Sequence, residues 1–105
     1  MNEMFNKQIT FQTRLDYSSL VENQSFINIQ SLALIDEIME ALQETPWKPW
    51  KKQQLFNKEK YKEELIDCWH FLINLSLASG MNAEEVKERF MKKNKENNER
   101  QKNNY

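Results

Sequence analysis

The stretch KEKYKEELIDCWHFLINLSLASG, residues 58–80, decides the fold class. Tyr61, Leu65, Ile66, Cys68, Trp69, Phe71, Leu72, Ile73, Leu75 and Leu77 point in almost every direction of a helix wheel turning about 100° per residue. Only a thin polar strip near His70 and Asn74 is left. A helix that is apolar nearly all round is a central one. It ends at the chain's single glycine, Gly80, which is well placed as the residue just past a helix. One glycine and two prolines are too few for the tight turns of a sheet, and no Asn-Gly or Asp-Gly pair occurs. The chain reads as all-α.

Working outward, Asn57 is a candidate N-cap for this helix. The helix before it runs from residue 26 or 28 to 44 and stops at Pro46, because residues preceding proline avoid the α region. Asn23-Gln24-Ser25 reads as a polar break, and residues 2–22 form a first helix with Phe5, Ile9, Gln12 and Leu15 near helical spacing. Asn82 with Glu85 three residues on resembles a capping box, opening a fourth helix toward residue 103. Residues 92–105 hold no aliphatic side chain, so composition leaves them open between helix and frayed tail. Four helices with short loops suggest an antiparallel four-helix bundle, one domain spanning residues 1–105.

Composition narrows the function classes. Hydrophobic residues are 39% of the 105, below the roughly 45–50% of an average globular chain, so further apolar surface is expected to be buried between subunits. Lys plus Arg (15) nearly cancels Asp plus Glu (16), and no global field argues for nucleic acid or a membrane. One cysteine, Cys68, excludes an internal disulfide and a multi-cysteine zinc site. The start, MNEMFNKQITFQ, lacks the basic and apolar regions of a signal peptide. A cytoplasmic protein is the expectation.

The chemistry lies in two acid pairs. Leu34, Ile35, Ile38, Met39, Ala41 and Leu42 cover one face of the second helix, and Asp36, Glu37, Glu40 and Glu44 the other. By itself that acidic face reads first as an ordinary solvated one. Glu64 and Asp67 differ, because they lie on the apolar helix, with Glu64 among Cys68, Phe71 and Leu75. A buried unpaired carboxylate is costly and must neutralise or find a cation. Glu37-x-x-Glu40 and Glu64-x-x-Asp67 offer four hard oxygen donors, suited to Mg²⁺ or Mn²⁺ and not to zinc. Asp67-x-x-His70 also resembles half of a di-iron ligand set, but this chain has one histidine. His70 is equally readable as a structural residue or a substrate contact.

On the fourth helix, Val86 and Phe90 continue by helical spacing into Lys93, Asn97, Arg100 and Asn104. That inward face turns from apolar to cationic and amide, either as a solvated end or as a set of phosphate ligands. The loop TPWKPWK, residues 45–51, alternates indoles and cations, which can anchor the loop or stack on a base.

Four stretches, ALIDEIMEAL (33–42), TPWKPWK (45–51), EELIDCWHF (63–71) and KNKENNERQKNNY (93–105), together resemble the all-α nucleoside triphosphate pyrophosphatases, MazG-like in the broad sense. The nearest likeness is to their dimeric dUTPase branch, in a compact form of the kind found in bacteriophages. The likeness spans roughly residues 31–105, and the last stretch follows the branch's K-x3-N-x2-RQ-x3-Y ending. The resemblance implies Mg²⁺-dependent hydrolysis of a deoxynucleoside triphosphate, dUTP above dCTP or another, to monophosphate and pyrophosphate. It implies metal ligation by Glu37, Glu40, Glu64 and Asp67, with Glu37 as general base. It assigns phosphates to Lys93, Arg100 and Tyr105, and the sugar or base to Asn97. Trp47, Lys48, His70 and Phe71 would line the pocket, and Gln12 would meet the base. It implies a homo-oligomer, dimer or tetramer, with shared sites.

Two features depart from the branch. Its long helical insertion before the last helix is reduced here to a short turn at 79–83, and Asn104 replaces the glycine usual before the final tyrosine. The competing class is a helical module that binds a partner through residues 92–105, which has no need of acids on an apolar helix.

Overall fold

The computed structural model describes residues 1–14 and 23–103. Four helices follow one another: α1 (Asn2–Arg14), α2 (Gln24–Gln43), α3 (Lys58–Ala78) and α4 (Ala83–Lys102). Among the described residues there is no strand, as the scarcity of turn formers requires. The expected first helix extends to residue 22; its part beyond Arg14, including Leu15, lies outside the described residues, as do Asn104 and Tyr105.

Three asparagines set the helix starts. Asn23 accepts from the Phe26 amide at 2.9 Å, Asn57 from Lys60 at 3.2 Å and Asn82 from Glu85 at 2.9 Å. Each satisfies an N–H that has no carbonyl partner in the first turn. The stretch expected as a break at residues 23–25 is therefore the cap and first residues of α2. Gly80 follows α3 with φ of 90°, in the left-handed region where a Cβ is costly. The polar stretch left open between helix and tail is helical through Lys102. Glu84 and Glu85 in the first turn of α4 and Arg100 and Lys102 in its last complement the helix dipole.

α2 and α3 form an antiparallel hairpin. Gln30 near the start of α2 bonds Asn74 near the end of α3 at 2.7 Å, while Glu37 further along α2 meets Glu64 and Asp67 nearer the start of α3. α1 lies against α3. A small core of Phe5, Ile73, Leu77 and Ala83, with Val86 packed on it, sits where α1, the end of α3 and the start of α4 meet. α4 is held by these first turns and then stands off, with Phe90 66% exposed and Met91 beside it also exposed. The radius of gyration is 17.1 Å, against about 13 Å for a compact chain of this length.

Much apolar surface is left open. Ile29, Leu32, Ile35 and Ile38 of α2 and Ile66, Trp69 and Leu72 of α3 are all exposed. No described helix is long and apolar enough to cross a membrane.

Gly80→Ala should lower stability by about 1–2 kcal/mol, since the added Cβ opposes a positive φ, and Gly80→Asn should lower it less. Urea unfolding followed by circular dichroism checks both, with an unchanged slope expected.

Candidate active site

The antiparallel pairing of α2 and α3 turns their acid pairs toward each other. Carboxylate oxygens of Glu37, Glu64 and Asp67 lie within 4.8 Å of one another, as do those of Asp36, Glu37 and Glu40. Glu37 belongs to both groups. Its Oε2 is buried without a hydrogen-bond partner. None of these acids is ion-paired to a lysine or arginine among the described residues; the ion pairs there are Lys7–Glu3, Lys62–Glu59 and Arg89–Glu85.

Burial and uncompensated like charge together have a direct effect. Loss of solvent, then the charges of Glu40 and Asp67 and the neighbouring Glu64, push the Glu37 carboxyl up to about 7. Glu40 is raised by loss of solvent and by Asp36 and Glu64. The Cys68 thiol is also raised, first by burial and then by Glu37, Asp67 and Glu64, so it stays protonated and offers no thiolate ligand. An orphaned carboxylate oxygen amid hard oxygen donors fits a divalent cation of the Mg²⁺ type. Glu37, Glu40, Glu64 and Asp67 are the residues that would hold it, with Asp36 adjacent.

His70, one turn beyond Asp67, does not join the acids. Its Nδ1 is 2.8 Å from Oε1 of Gln8 on α1, and neither carboxylate group includes a histidine. That engagement disfavours the di-iron reading. Asn74, read as part of a thin polar strip, is 1% exposed. α1 covers the Asn74 end of the strip, and Gln8 Nε2 donates to Asn74 Oδ1 at 2.7 Å. Gln12, one turn along α1 from Gln8, is 4% exposed with its Oε1 unpartnered. Phe71 is half-buried on α3.

The indole loop is built around Gln54. Its side chain accepts from the Lys48 amide at 3.1 Å and donates to the carbonyls of Lys48 and Lys51. Trp47 and Trp50 meet edge to face with centroids 5.7 Å apart, and Lys48 Nζ lies 5.8 Å from the Trp47 ring centre. The Asn57 amide donates to the Glu44 carbonyl at 3.0 Å, closing the loop at its base.

The structure thus brings the four acids together, and sets Gln12, His70 and Phe71 on α1 and α3. Lys93, Asn97 and Arg100 lie on the projecting part of α4, exposed, and are not drawn to the acids within the chain. Tyr105 lies outside the described residues. Asp36, Gln8, Gln30, Asn74 and Gln54 were not assigned from sequence. An amide inside the apolar run FLINLSLA was the one available signal for Asn74, since a buried amide demands partners.

Residues 1–83 match the sequence profile of a family described as dUTPase. That match takes in α1 and stops where α4 begins. A dCTP pyrophosphatase of Enterobacteria phage T4 is 39% identical over 71 residues, covering 56% of this chain and 42% of the relative. The dCTP pyrophosphatase of Enterobacteria phage LZ5 is also 39% identical over 71 residues, covering 56% and 41%. A DNA replication protein of phage T4 is 36% identical over 61 residues, covering 47% of this chain and 16% of that one. The chain spans less than half the length of these curated relatives. No solved structure matches it.

The raised Glu37 carboxyl fixes the sign of a pH effect. A carboxyl at 4.5 in the unfolded chain and about 7 in the folded one gives the folded state the extra proton between those values. Its contribution is complete below the lower value and is lost as pH rises through the higher. Without added metal, the melting temperature should therefore fall from about pH 5 to about pH 8. Glu37→Gln should remove most of that fall, as differential scanning fluorimetry would show.

Proposed function

Because this chain belongs to the dUTPase family, we propose that it hydrolyses a pyrimidine deoxynucleoside triphosphate, dUTP first, to the monophosphate and pyrophosphate at the α2–α3 acid cluster. Glu37 carries the reading. Its oxygen is buried without a partner, within ligand reach of Glu64 and Asp67. A divalent cation held there, Mg²⁺ or in its place Mn²⁺, would neutralise triphosphate charge and lower the pKa of a bound water.

Glu37 then orients the attacking water and takes its proton. A bond forms between the water oxygen and the α-phosphorus, and the bond from that phosphorus to the bridging oxygen breaks. Pyrophosphate leaves with the electron pair, and Lys93 and Arg100 receive its charge. Tyr105 adds a phosphate contact and Asn97 one to sugar or base. Trp47, Lys48, His70 and Phe71 form the walls around the nucleoside.

Gln12 reads the base. Its unpartnered Oε1 is an acceptor, and it can take a hydrogen bond from uracil N3–H or from the cytosine amino group equally. This supports a pyrimidine without choosing between the two. The names of the two phage pyrophosphatases favour dCTP as the second reading.

The site is completed by a second copy. α4 stands off its own chain, while the α2–α3 faces leave Leu32 67% exposed and Ile66 and Trp69 open. Apposed faces of this kind bury one another in a homo-oligomer, a dimer or tetramer, with α4 of one copy serving the acids of another. The phage relatives support a role in the cytoplasm of an infected host.

Pyrophosphate release from dUTP and dCTP should require Mg²⁺ and stop in EDTA, and Glu37→Gln should lower kcat by roughly 100-fold or more. Release from neither would overturn the reading. Glu37→Gln mixed with a Lys93→Ala/Arg100→Ala variant should recover about a quarter of wild-type activity in a dimer with shared sites; no recovery would contradict sharing.

A further inference from the structure

Four polar side chains on three helices form one directed chain of hydrogen bonds. Asn74 Nδ2 donates to Gln30 Oε1 at 2.7 Å, and Gln8 Nε2 donates to Asn74 Oδ1 at 2.7 Å. Gln8 Oε1 stands 2.8 Å from His70 Nδ1. Gln8, Asn74 and Gln30 are all buried, while His70 is exposed. Gln8 and Asn74 each spend their nitrogen on the next carbonyl, and Gln30 accepts at the end, so none of the three can turn over alone without setting oxygen against oxygen or N–H against N–H. With the Gln8 nitrogen committed to Asn74, only its carbonyl oxygen is left for the imidazole. An acceptor at that point requires a proton on His70 Nδ1. In the neutral ring the opposite nitrogen, Nε2, is then an acceptor, on a residue that is exposed as a whole.

We infer that Gln8, Asn74 and Gln30 are positioning residues that hold His70 as its Nδ1–H tautomer and present Nε2 as a fixed acceptor for a hydrogen-bond donor of the nucleotide. The nucleotide part rests on the function proposed above; the tautomer does not. A neutral amide partner orients the ring without placing a charge beside it, unlike the carboxylate that orients many catalytic histidines. Burial makes the device stiff, because an amide removed from water loses heavily if its bond is broken. It also ties ring orientation to the seating of α1 on the α2–α3 hairpin, so the same contacts that assemble the helices aim the imidazole.

His70 is the chain's single histidine, which makes the test unambiguous. Long-range proton–nitrogen NMR correlation on the ¹⁵N-labelled full chain, at about pH 8.5 where an imidazole is neutral, reports which ring nitrogen carries hydrogen. Protonated Nδ1 with unprotonated Nε2 is expected. Gln8→Leu should shift the ring to the Nε2–H form and raise KM for dUTP about fivefold to tenfold with kcat little changed, the loss of roughly one hydrogen bond. Gln8→Glu, which keeps the acceptor, should keep Nδ1–H. An Nε2–H ring in the wild-type chain overturns the relay whether or not any variant folds. An Nδ1–H ring in a protein that turns over neither dUTP nor dCTP supports the relay and overturns the nucleotide reading instead.

Discussion

Like charge gathered at the seam of α2 and α3 is the constraint on which the rest depends. Glu37, Glu64 and Asp67 hold oxygens within 4.8 Å of one another, and Glu37 is shared with Asp36 and Glu40. Such a seam opposes folding unless protons or cations enter it. The rise of the Glu37 carboxyl to about 7 is the proton's answer; a divalent cation is the other. The hairpin is therefore poised around a charge it does not itself supply, and under the proposed function a triphosphate with its metal ions would bring both the missing cations and the substrate.

Caps and buried amides bring those acids into register. Asn23 and Asn57 fix where α2 and α3 begin, and the Asn74–Gln30 bond pins the opposite end of the hairpin. Gln8 then fastens α1 to the same point. Apolar packing is modest here, with the main core confined to one corner, so the buried amides give specificity that a lean core does not. In the proposed homo-oligomer, a second copy of the chain would cover the exposed apolar faces and receive the projecting α4.

Much of this was legible in the sequence. The want of glycine and proline, the cap residues Asn57 and Asn82, the stop at Gly80 and the helical spacing of Glu37/Glu40 and Glu64/Asp67 all act locally or through periodicity, and the structure carries each of them. The amide relay was not legible. Gln8, Gln30 and Asn74 lie 44 and 66 positions apart along the chain, and only packing reveals that they meet. Asn74 looked like part of an outward strip because a wheel of one helix cannot show that α1 covers it. Gln54 was missed for a similar reason: its role is to satisfy loop backbone groups that periodicity does not describe. The placement of Lys93, Asn97 and Arg100 away from the acids follows from α4 docking through its first turns, with Ala83 and Val86 at the core and Glu84 bonded to Asn2, a tertiary fact with no local signature.

Cation binding at the seam is the most direct test. Titration of the full chain with Mn²⁺, followed by the electron paramagnetic resonance signal of the free ion, reads binding without any need for turnover. Saturable binding that Mg²⁺ displaces, weakened about tenfold or more by Glu64→Gln, is the predicted result. A free-ion signal that tracks added Mn²⁺ throughout, with and without a non-hydrolysable dUTP analogue, would contradict the acid cluster as a cation site.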